Sequence, residues 1–261
     1  MFVTGTIIGR QETTPGYVTL AVSAPEIARA ASPGQFVMVR GWEGFDPLLP
    51  RPFSFHRLHP ARGSFHLLVR IAGKATSLMA AWSPGHSVSL LGPLGTGFTL
   101  PRKGASAAIV TRGAGVAPMV ALAERLKARG VGVKAFMSAR SRTSMVCYET
   151  MCRLAQSVEV TSDDGSMGPP GLVTDFLERH IGTQCVDVVY VCGSRRLARA
   201  VSRLQKVHGF SAFVSLEEHM ACGVGACKGC VVGVAEAGSG LTYRRVCREG
   251  PLFPLEILCL E

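Results

Sequence analysis

The chain has 261 residues, of which 47% are hydrophobic and 18% are charged, a composition typical of a folded protein large enough for two domains and a small appendage. Its net charge of +10 comes from scattered Lys and Arg, which favours a basic surface over a nucleic-acid-binding face. No apolar run approaches the roughly 20 residues that span a bilayer, and the first residues alternate like a strand rather than a signal peptide. We therefore predict a cytoplasmic protein without nucleic-acid or membrane partners, and its nine cysteines fit a reducing compartment.

Short alternating strands fill the first third of the chain. They are predicted at residues 2–10, 17–23, 35–40, 64–71 and 87–91. Turn residues separate them, as in Thr13-Thr14-Pro15-Gly16. Evenly spaced strands of this kind predict a small antiparallel β-barrel over residues 1–99.

Two motifs in this region can serve a nucleotide cofactor. In Arg51-Pro52-Phe53-Ser54, the proline can fix the arginine toward a pyrophosphate, and the serine can hydrogen-bond a flavin ring. Gly73-Lys74-Ala75-Thr76 opens a predicted helix, which Thr76 can cap while the free amides accept a phosphate. Taken alone, the first motif also fits an ordinary strand edge and the second an ordinary capped helix.

After Pro93 the pattern changes to strands that alternate with helices. Apolar strands are predicted at 107–111, 133–140, 158–165 and 186–193, and helices at 120–130, 172–180 and 195–207. Alternation of this kind predicts a parallel sheet with a ligand crevice at the carboxyl ends of its strands. We therefore predict a nucleotide-binding α/β domain over residues 100–215.

Small and polar residues mark the predicted strand ends at this crevice. Gly113 and Gly115 form a G-x-G turn, although Pro118 breaks the strict G-x-G-x-x-G fingerprint. Cys192 ends another strand, where a cysteine is more often packed than reactive. Asp163-Asp164 can contact a ribose or simply form a turn.

Four cysteines near the C-terminus have the spacing of a metal site. Cys222, Cys227, Cys230 and Cys247 follow C-x4-C-x2-C-x16-C, the plant-type arrangement of a 2Fe-2S cluster, whereas structural zinc sites usually use two C-x2-C knuckles. Glycines at 223, 225 and 229 allow a loop with positive φ to wrap its amides around sulfide. The spacing favours iron-sulfur over zinc, and buried structural thiols do not explain three cysteines within nine residues.

The chain resembles the ferredoxin-reductase family of flavoproteins in four features and in their order. These are the barrel, the Arg51–Ser54 motif, the G-x-G-x-Ala-Pro turn and the Cys192-Gly193 strand end. The tail sequences SLEEHMACGVGACKGC and YRRVCREGPLF narrow the resemblance to the electron-transfer subunits of type B, NAD-dependent dihydroorotate dehydrogenases. The resemblance covers essentially the whole chain. It implies an FAD-binding β-barrel at 1–99, an NAD-binding α/β domain at 100–215 and a 2Fe-2S domain at 216–261.

What the resemblance implies is an oxidoreductase subunit for electron transfer in pyrimidine biosynthesis. Electrons would pass between NAD(H), FAD, a 2Fe-2S cluster and the FMN of a dihydroorotate-oxidising catalytic subunit, in a heterotetramer. FAD would be held by Arg51, Pro52, Phe53, Ser54, Leu68, Val69, Arg70, Ala75 and Thr76, the cluster by Cys222, Cys227, Cys230 and Cys247, and NAD near Gly113, Gly115 and Cys192. No catalytic acid or base is nominated, because such a protein contributes cofactor placement and electrostatics.

The sequence departs from the family pattern at three places. Thr111-Arg112 and Ala75 stand where family members often carry glycine, and Ser194 stands where they have proline. The first and third departures bear on the nicotinamide contacts. The second is mild, because alanine allows nearly the same backbone path when φ is negative.

Two alternatives remain open from the sequence. The same cofactors can serve another partner, such as a hydrogenase or a sulfide or ferredoxin oxidoreductase. Alternatively, zinc-bound thiols can stabilise a non-catalytic binding module that uses the basic surface. NADH and NADPH are also not distinguished, since Asp163-Asp164 disfavours a 2′-phosphate and the scattered arginines favour one.

Overall fold

The computed structural model describes residues 1–236 and 240–260. Its N-terminal part comprises β1 (Phe2–Thr14), β2 (Tyr17–Ser23), α1 (Pro25–Ala30), β3 (Phe36–Arg40), β4 (Arg51–Ser54), β5 (Arg57–His59), β6 (Ser64–Arg70), α2 (Lys74–Ala80) and β7 (Ser87–Leu94). All seven strands pair antiparallel in the order β4-β3-β7-β1-β2-β6-β5. Strands β4 and β5 are consecutive in sequence yet form the two edges, and β4 contacts β6, so the sheet curls into the predicted barrel.

Apolar side chains at every second position of the strands fill the barrel core. On β2, Val18, Leu20 and Val22 are buried while their neighbours are less so. On β6 the same period buries Phe65, Leu67 and Val69. Val69 therefore belongs to the core, whereas Leu68 and Arg70 on the same strand point the other way.

The middle of the chain forms the predicted parallel sheet. It comprises β8 (Ser106–Arg112), α3 (Ala117–Ala128), β9 (Gly132–Ala139), α4 (Tyr148–Leu154), β10 (Ser157–Ser162), α5 (Val173–Thr183), β11 (Val188–Cys192), α6 (Arg195–His208) and β12 (Ser211–Ser215). Its parallel strands lie in the order β10-β9-β8-β11-β12. On β8, Ile109 packs into one core and Val110 into another, because the sheet has apolar cover on both faces.

The tail joins both upstream units. It holds a hairpin of β13 (Val231–Glu236) and β14 (Gly240–Arg245), followed by β15 (Leu252–Pro254). Strand β15 pairs antiparallel with β12 and so extends the α/β sheet, although a separate tail domain was predicted from residue 216. Cys230, Val246 and Cys247 pack against Phe36 and Met38 of the barrel. The tail is therefore anchored where the barrel and the α/β sheet meet.

None of the helices in the described ranges combines the length and apolar character that a membrane span requires.

A buried histidine lies where the barrel packs on α3. The Nδ1 of His56 lies 2.9 Å from the carbonyl oxygen of Ala117, and a carbonyl can only accept, so the neutral ring donates from Nδ1. Burial lowers the pKa of His56 from 6.5 to about 4. Burial together with the charge of His59 also lowers the pKa of His66 to about 4.

This geometry predicts acid destabilisation. Between pH 6.5 and about 4 the unfolded chain binds protons that folded His56 and His66 do not, so the free energy of unfolding falls as the pH is lowered, by up to about 1.4 kcal/mol per pH unit for the buried His56 and by less for the partly exposed His66. His56→Asn, whose amide can still donate to Ala117, is expected to remove at least half of this dependence in denaturant titrations. His208→Asn, at the exposed end of α6, is the control and keeps the full slope.

Candidate functional site

A cleft of about 520 Å3 lies where the barrel, the α/β sheet and the tail meet. The barrel contributes Pro52, Phe53, Ser54, Leu68 and Arg70, which the sequence had assigned to flavin binding. The α/β unit contributes Ala114 and Ala117 of the turn that leads into α3, and the tail contributes residues 216–220 and Pro251. We call this space the first cleft.

A second cleft of about 940 Å3 continues from the first along the barrel. It is lined by Arg51, by residues 72–76 at the start of α2 and by Gly229 of the cysteine loop. The two clefts share Pro52 and residues 218–220, so they form one elongated groove. The groove brings together all the predicted flavin residues except Val69, which lies in the barrel core.

The start of α2 differs in detail from the prediction. Gly73 is the N-cap residue, and Thr76, the third residue of the helix, caps the Gly73 amide with its side chain. The Thr76 hydroxyl accepts hydrogen bonds from the amides of Ala72 and Gly73, at 2.9 and 3.0 Å. The first intrahelical bond runs from Ser77 to Gly73, so the amides of residues 74–76 precede the hydrogen-bond ladder. Thr76 thus shapes the loop, and the amides of residues 74–76 remain without an intrahelical partner.

The four tail thiols form two pairs. The amide of Cys227 donates to Cys222 Sγ at 3.4 Å, and the amide of Cys247 donates to Cys230 Sγ at 3.4 Å. Cys227 is exposed and Cys222 half-buried, whereas Cys230 and Cys247 are each only 2% exposed. Within the described residues, no three metal-ligating side chains converge on a single point. Hydrogen bonding therefore links Cys222 with Cys227 and Cys230 with Cys247.

Backbone amides and burial act in opposite directions on two of the four thiols. The amide of Cys227, followed by those of Val224 and Ala226, lowers the pKa of Cys222 to about 6. Burial, followed by the adjacent Cys230, raises the pKa of Cys247 to about 12. The loop amides thus favour the thiolate form of Cys222, whereas burial disfavours that of Cys247, whose ionisation a bound cation would promote.

Two of the three loop glycines are required by the backbone. Gly223 has φ +71°, and a Cβ there would lie 2.6 Å from Met38 Cγ of the barrel. Gly225 has φ +83°, and a Cβ there would lie 2.9 Å from Arg248 Cδ. At Gly229 a Cβ would meet only Cys227 Sγ at 3.6 Å, an ordinary contact, whereas Lys228 adopts φ 57°. The predicted wrap is therefore formed by Gly223, Gly225 and, unexpectedly, Lys228.

The G-x-G turn lies against the end of β11. A Cβ on Gly115 would lie 2.4 Å from the carbonyl oxygen of Cys192, so this glycine permits close packing of the turn on the strand. Gly113 has φ +53° and open space around it. The Cys192 side chain is fully buried, and burial raises its thiol pKa, so the side chain packs rather than faces the crevice.

A third cavity, of about 360 Å3, lies at the carboxyl ends of β8, β9 and β10. Two of the residues that depart from the family pattern, Arg112 and Ser194, line this cavity. Arg112 reaches across to β10 and forms a two-pronged ion pair with Asp163, at 2.6 and 3.2 Å, which lowers the pKa of that carboxyl group. Asp164 instead accepts from the Ser166 hydroxyl at 2.6 Å and stabilises the turn.

Comparison with known proteins identifies the family. Residues 217–259 match the family model described as the iron-sulfur cluster binding domain of dihydroorotate dehydrogenase B. Over 240 residues the chain is 39% identical to the electron transfer subunit of dihydroorotate dehydrogenase B (NAD(+)) from Desulforamulus reducens, which covers 92% of this chain and 91% of the relative. The same subunit from Geobacillus thermodenitrificans is 36% identical over 250 residues, with 95% of each chain covered. The chain belongs to this family of electron transfer subunits.

Solved structures show the fold that dihydroorotate dehydrogenase B electron transfer subunits share with reductases. The NADH-dependent reduced ferredoxin-NADP oxidoreductase matches with a TM-score of 0.86 at 24% identity, over 97% of this chain and 89% of that chain. A ferredoxin NADP+ reductase from Neisseria gonorrhoeae matches with a TM-score of 0.66 at 19% identity, over 80% and 92%. The predicted ferredoxin-reductase-like architecture is confirmed.

One segment of this electron transfer subunit was missed by sequence reasoning. Residues 216–220 line the first cleft, and residues 218–221 line the second, directly before Cys222. Glu218 in this segment pairs with Arg195 at the start of α6, with 2.6 Å between Oε1 and Nη2. The only sequence signal was the position of SLEEHM immediately before the cysteine motif.

Proposed function

We propose that this subunit passes electrons between NAD(H), an FAD in the groove, a 2Fe-2S cluster in the cysteine loop and the FMN of a catalytic subunit that oxidises dihydroorotate to orotate in pyrimidine biosynthesis. One observation carries the proposal. The segment that forms the shared wall of both clefts runs without interruption into Cys222, and Gly229 of the same loop lines the second cleft. The groove and the thiols are therefore neighbours.

The chemistry of the residues that line the groove suits FAD. Phe53, Ser54 and Leu68 give the first cleft an apolar wall with one hydroxyl, which suits a flavin ring. Arg51 and the free amides at the start of α2 give the second cleft a cationic, donor-rich wall, which suits a pyrophosphate. When bound, FAD accepts two electrons as a hydride and releases them one at a time, which links a nicotinamide to an iron-sulfur cluster.

The pairing of the thiols favours a 2Fe-2S cluster over zinc. In such a cluster each iron takes two cysteines, so the four thiolates fall into two pairs. A structural zinc ion requires four ligands about 2.3 Å from a single point. The pairs Cys222–Cys227 and Cys230–Cys247 match the first pattern, and the glycine-rich loop brings amide donors to the sulfurs.

The two pairs differ in exposure, and this suggests the direction of approach of the partner. Cys230 and Cys247 pack with Phe36, which also lines the first cleft. Cys227 lies on the solvent side. We therefore place the catalytic subunit against the Cys227 side of the loop, in the heterotetramer expected of this family.

We also propose that NAD(H) binds over the turn at Gly113 and Gly115, at the end of β11. Ala114 and Ala117 of this region line the first cleft, so a nicotinamide there would lie beside the flavin site. Cys192 would contribute backbone only, since its side chain is buried.

The test is chemical analysis of the anaerobically purified protein followed by reconstitution. We expect acid-released FAD, two irons per chain with acid-labile sulfide, and dihydroorotate-dependent reduction of NAD+ once the FMN-containing catalytic subunit is added. A colourless protein with zinc would refute the cofactor assignment. A coloured protein that forms no active complex with that subunit would refute the partner and leave the cofactors in place.

A further inference from the structure

Arg245, beside the cysteine loop, donates hydrogen bonds from its backbone amide and from all three nitrogens of its guanidinium. Arg245, at the end of β14, donates from Nη1 to the carbonyl oxygen of Gly225 at 3.0 Å. Its backbone amide and Nε donate to Oε2 of Glu249 at 2.7 and 3.1 Å, and its Nη2 donates to Oε1 of the same carboxylate. Both side chains are largely covered, with 28% and 24% exposed. The guanidinium therefore bridges the loop that carries the first three cysteines and the turn that follows Cys247.

The turn that holds Glu249 is itself fixed to the wall of the first cleft. The carbonyl oxygen of Gly250 accepts from the amide of Thr96 at 2.6 Å, and that of Pro251 accepts from Leu216 at 2.9 Å. Leu216 and Pro251 both line the first cleft. A short path of bonded groups thus runs from Gly225 through Arg245 and Glu249 to the cleft wall.

We propose that Arg245 is a positioning residue for electron transfer between the groove and the thiol loop. It holds the Gly225 side of the loop at a fixed place relative to the cleft wall, and it neutralises the carboxylate of Glu249, which follows Cys247 by two residues. The inference rests on the proposed function, since it concerns the cluster that this loop would hold. An unpaired carboxylate there would oppose the addition of an electron, so the pair keeps the reduction potential higher than Glu249 alone would.

Only arginine can fill both roles. A guanidinium presents five donors in a planar fork, and here it serves a carbonyl and both oxygens of a carboxylate. Lysine would keep the charge but lacks the planar fork. The two roles can therefore be separated by substitution.

The experiment compares Arg245→Gln, Arg245→Lys and the double variant Arg245→Gln/Glu249→Gln in the anaerobically purified protein. Arg248→Gln is the matched control, because it removes a positive charge next to Gly225 while, among the described residues, Arg248 makes no side-chain hydrogen bond. The readouts are iron per chain, the electron paramagnetic resonance spectrum of the reduced protein, the midpoint potential from a dye-mediated titration, and the stopped-flow rate of cluster reduction after NADH is added.

We expect Arg245→Gln to keep its flavin and to show a more negative cluster potential, an altered resonance spectrum and cluster reduction slowed by about 10- to 100-fold, the range for lost outer-shell contacts. Arg245→Lys should restore the potential but not the rate. The double variant should restore the potential while the rate stays slow. If all three match Arg248→Gln in potential, spectrum and rate, the inference is wrong.

If the Arg245→Gln variant does not retain iron, the same measurements on the Glu249→Gln variant test the inference instead. That variant removes a negative charge and leaves only one acceptor oxygen for Arg245, so a higher potential and a slower rate support the inference, and unchanged values refute it. Failure of the proposed function is a different result, because the unaltered protein would then show no 2Fe-2S resonance at all.

Discussion

Replacement of Cys227 by alanine is expected to remove the iron-sulfur chromophore while FAD binding and NADH oxidation with artificial acceptors persist. Cys227 pairs with Cys222, so its loss leaves one iron with a single protein thiolate. Outer-shell substitutions at metal sites already cost about 10- to 100-fold in affinity, and loss of a direct ligand should cost at least as much. The FAD groove should survive because Cys227 does not line either cleft. Iron analysis and the visible spectrum, with flavin released by acid, measure the change.

A matched control is available elsewhere in the chain. Cys152 is an exposed cysteine on α4, outside the tail, so Cys152→Ala should keep full iron, full flavin and full transfer to the catalytic subunit. Retention of full iron content by Cys227→Ala would show that the ligand assignment is wrong. Loss of flavin together with iron would show that the loop supports the groove more directly than the lining residues indicate.

The elements that the sequence predicted are those whose signal is local. The apolar strand predicted at 107–111 is found as β8, and the helix predicted at 195–207 is found as α6. Both were predictable because hydrophobic periodicity and helix-capping residues lie within a few residues of one another in the sequence. Strands β5 and β15 are among the strands that were not predicted, as are β12, β13 and β14. The first two show why. Each has three residues and exists through pairing with β6 or β12, which no local pattern encodes.

The same distinction separates the site residues that were found from those that were missed. The cysteines and the Arg51–Ser54 motif are compact in sequence, so residue type and spacing reveal them. Residues 216–221 line the groove only because the tail returns to the barrel and packs on Phe36 and Met38. The ion pair of Arg112 and Asp163 likewise joins two strand ends 51 residues apart. Contacts of that range follow from topology rather than from spacing.

Replacement of Gly115 by alanine is expected to lower kcat/KM for NADH by about 100-fold, the cost of a misplacement near 1 Å, while FAD and iron are retained. A Cβ at this position would lie 2.4 Å from the Cys192 carbonyl oxygen and 2.8 Å from the Gly193 amide nitrogen. Both are backbone atoms, so no side chain can rotate away and the turn must move off β11. The free energy of unfolding should also fall, by roughly 1–3 kcal/mol, as for overpacked cores.

Gly182→Ala provides the control for this substitution. Gly182 lies in α5 with open space around it, so alanine there should leave NADH oxidation unchanged and stabilise the fold by up to about 1 kcal/mol. Stopped-flow reduction of the bound flavin by NADH separates binding from chemistry, and denaturant titration gives the stability term. If Gly115→Ala loses stability but reduces its flavin at the normal rate, the dinucleotide does not lie over this turn. A parallel loss of both would place NAD(H) where β8 and β11 end, next to the cleft that Ala114 and Ala117 line.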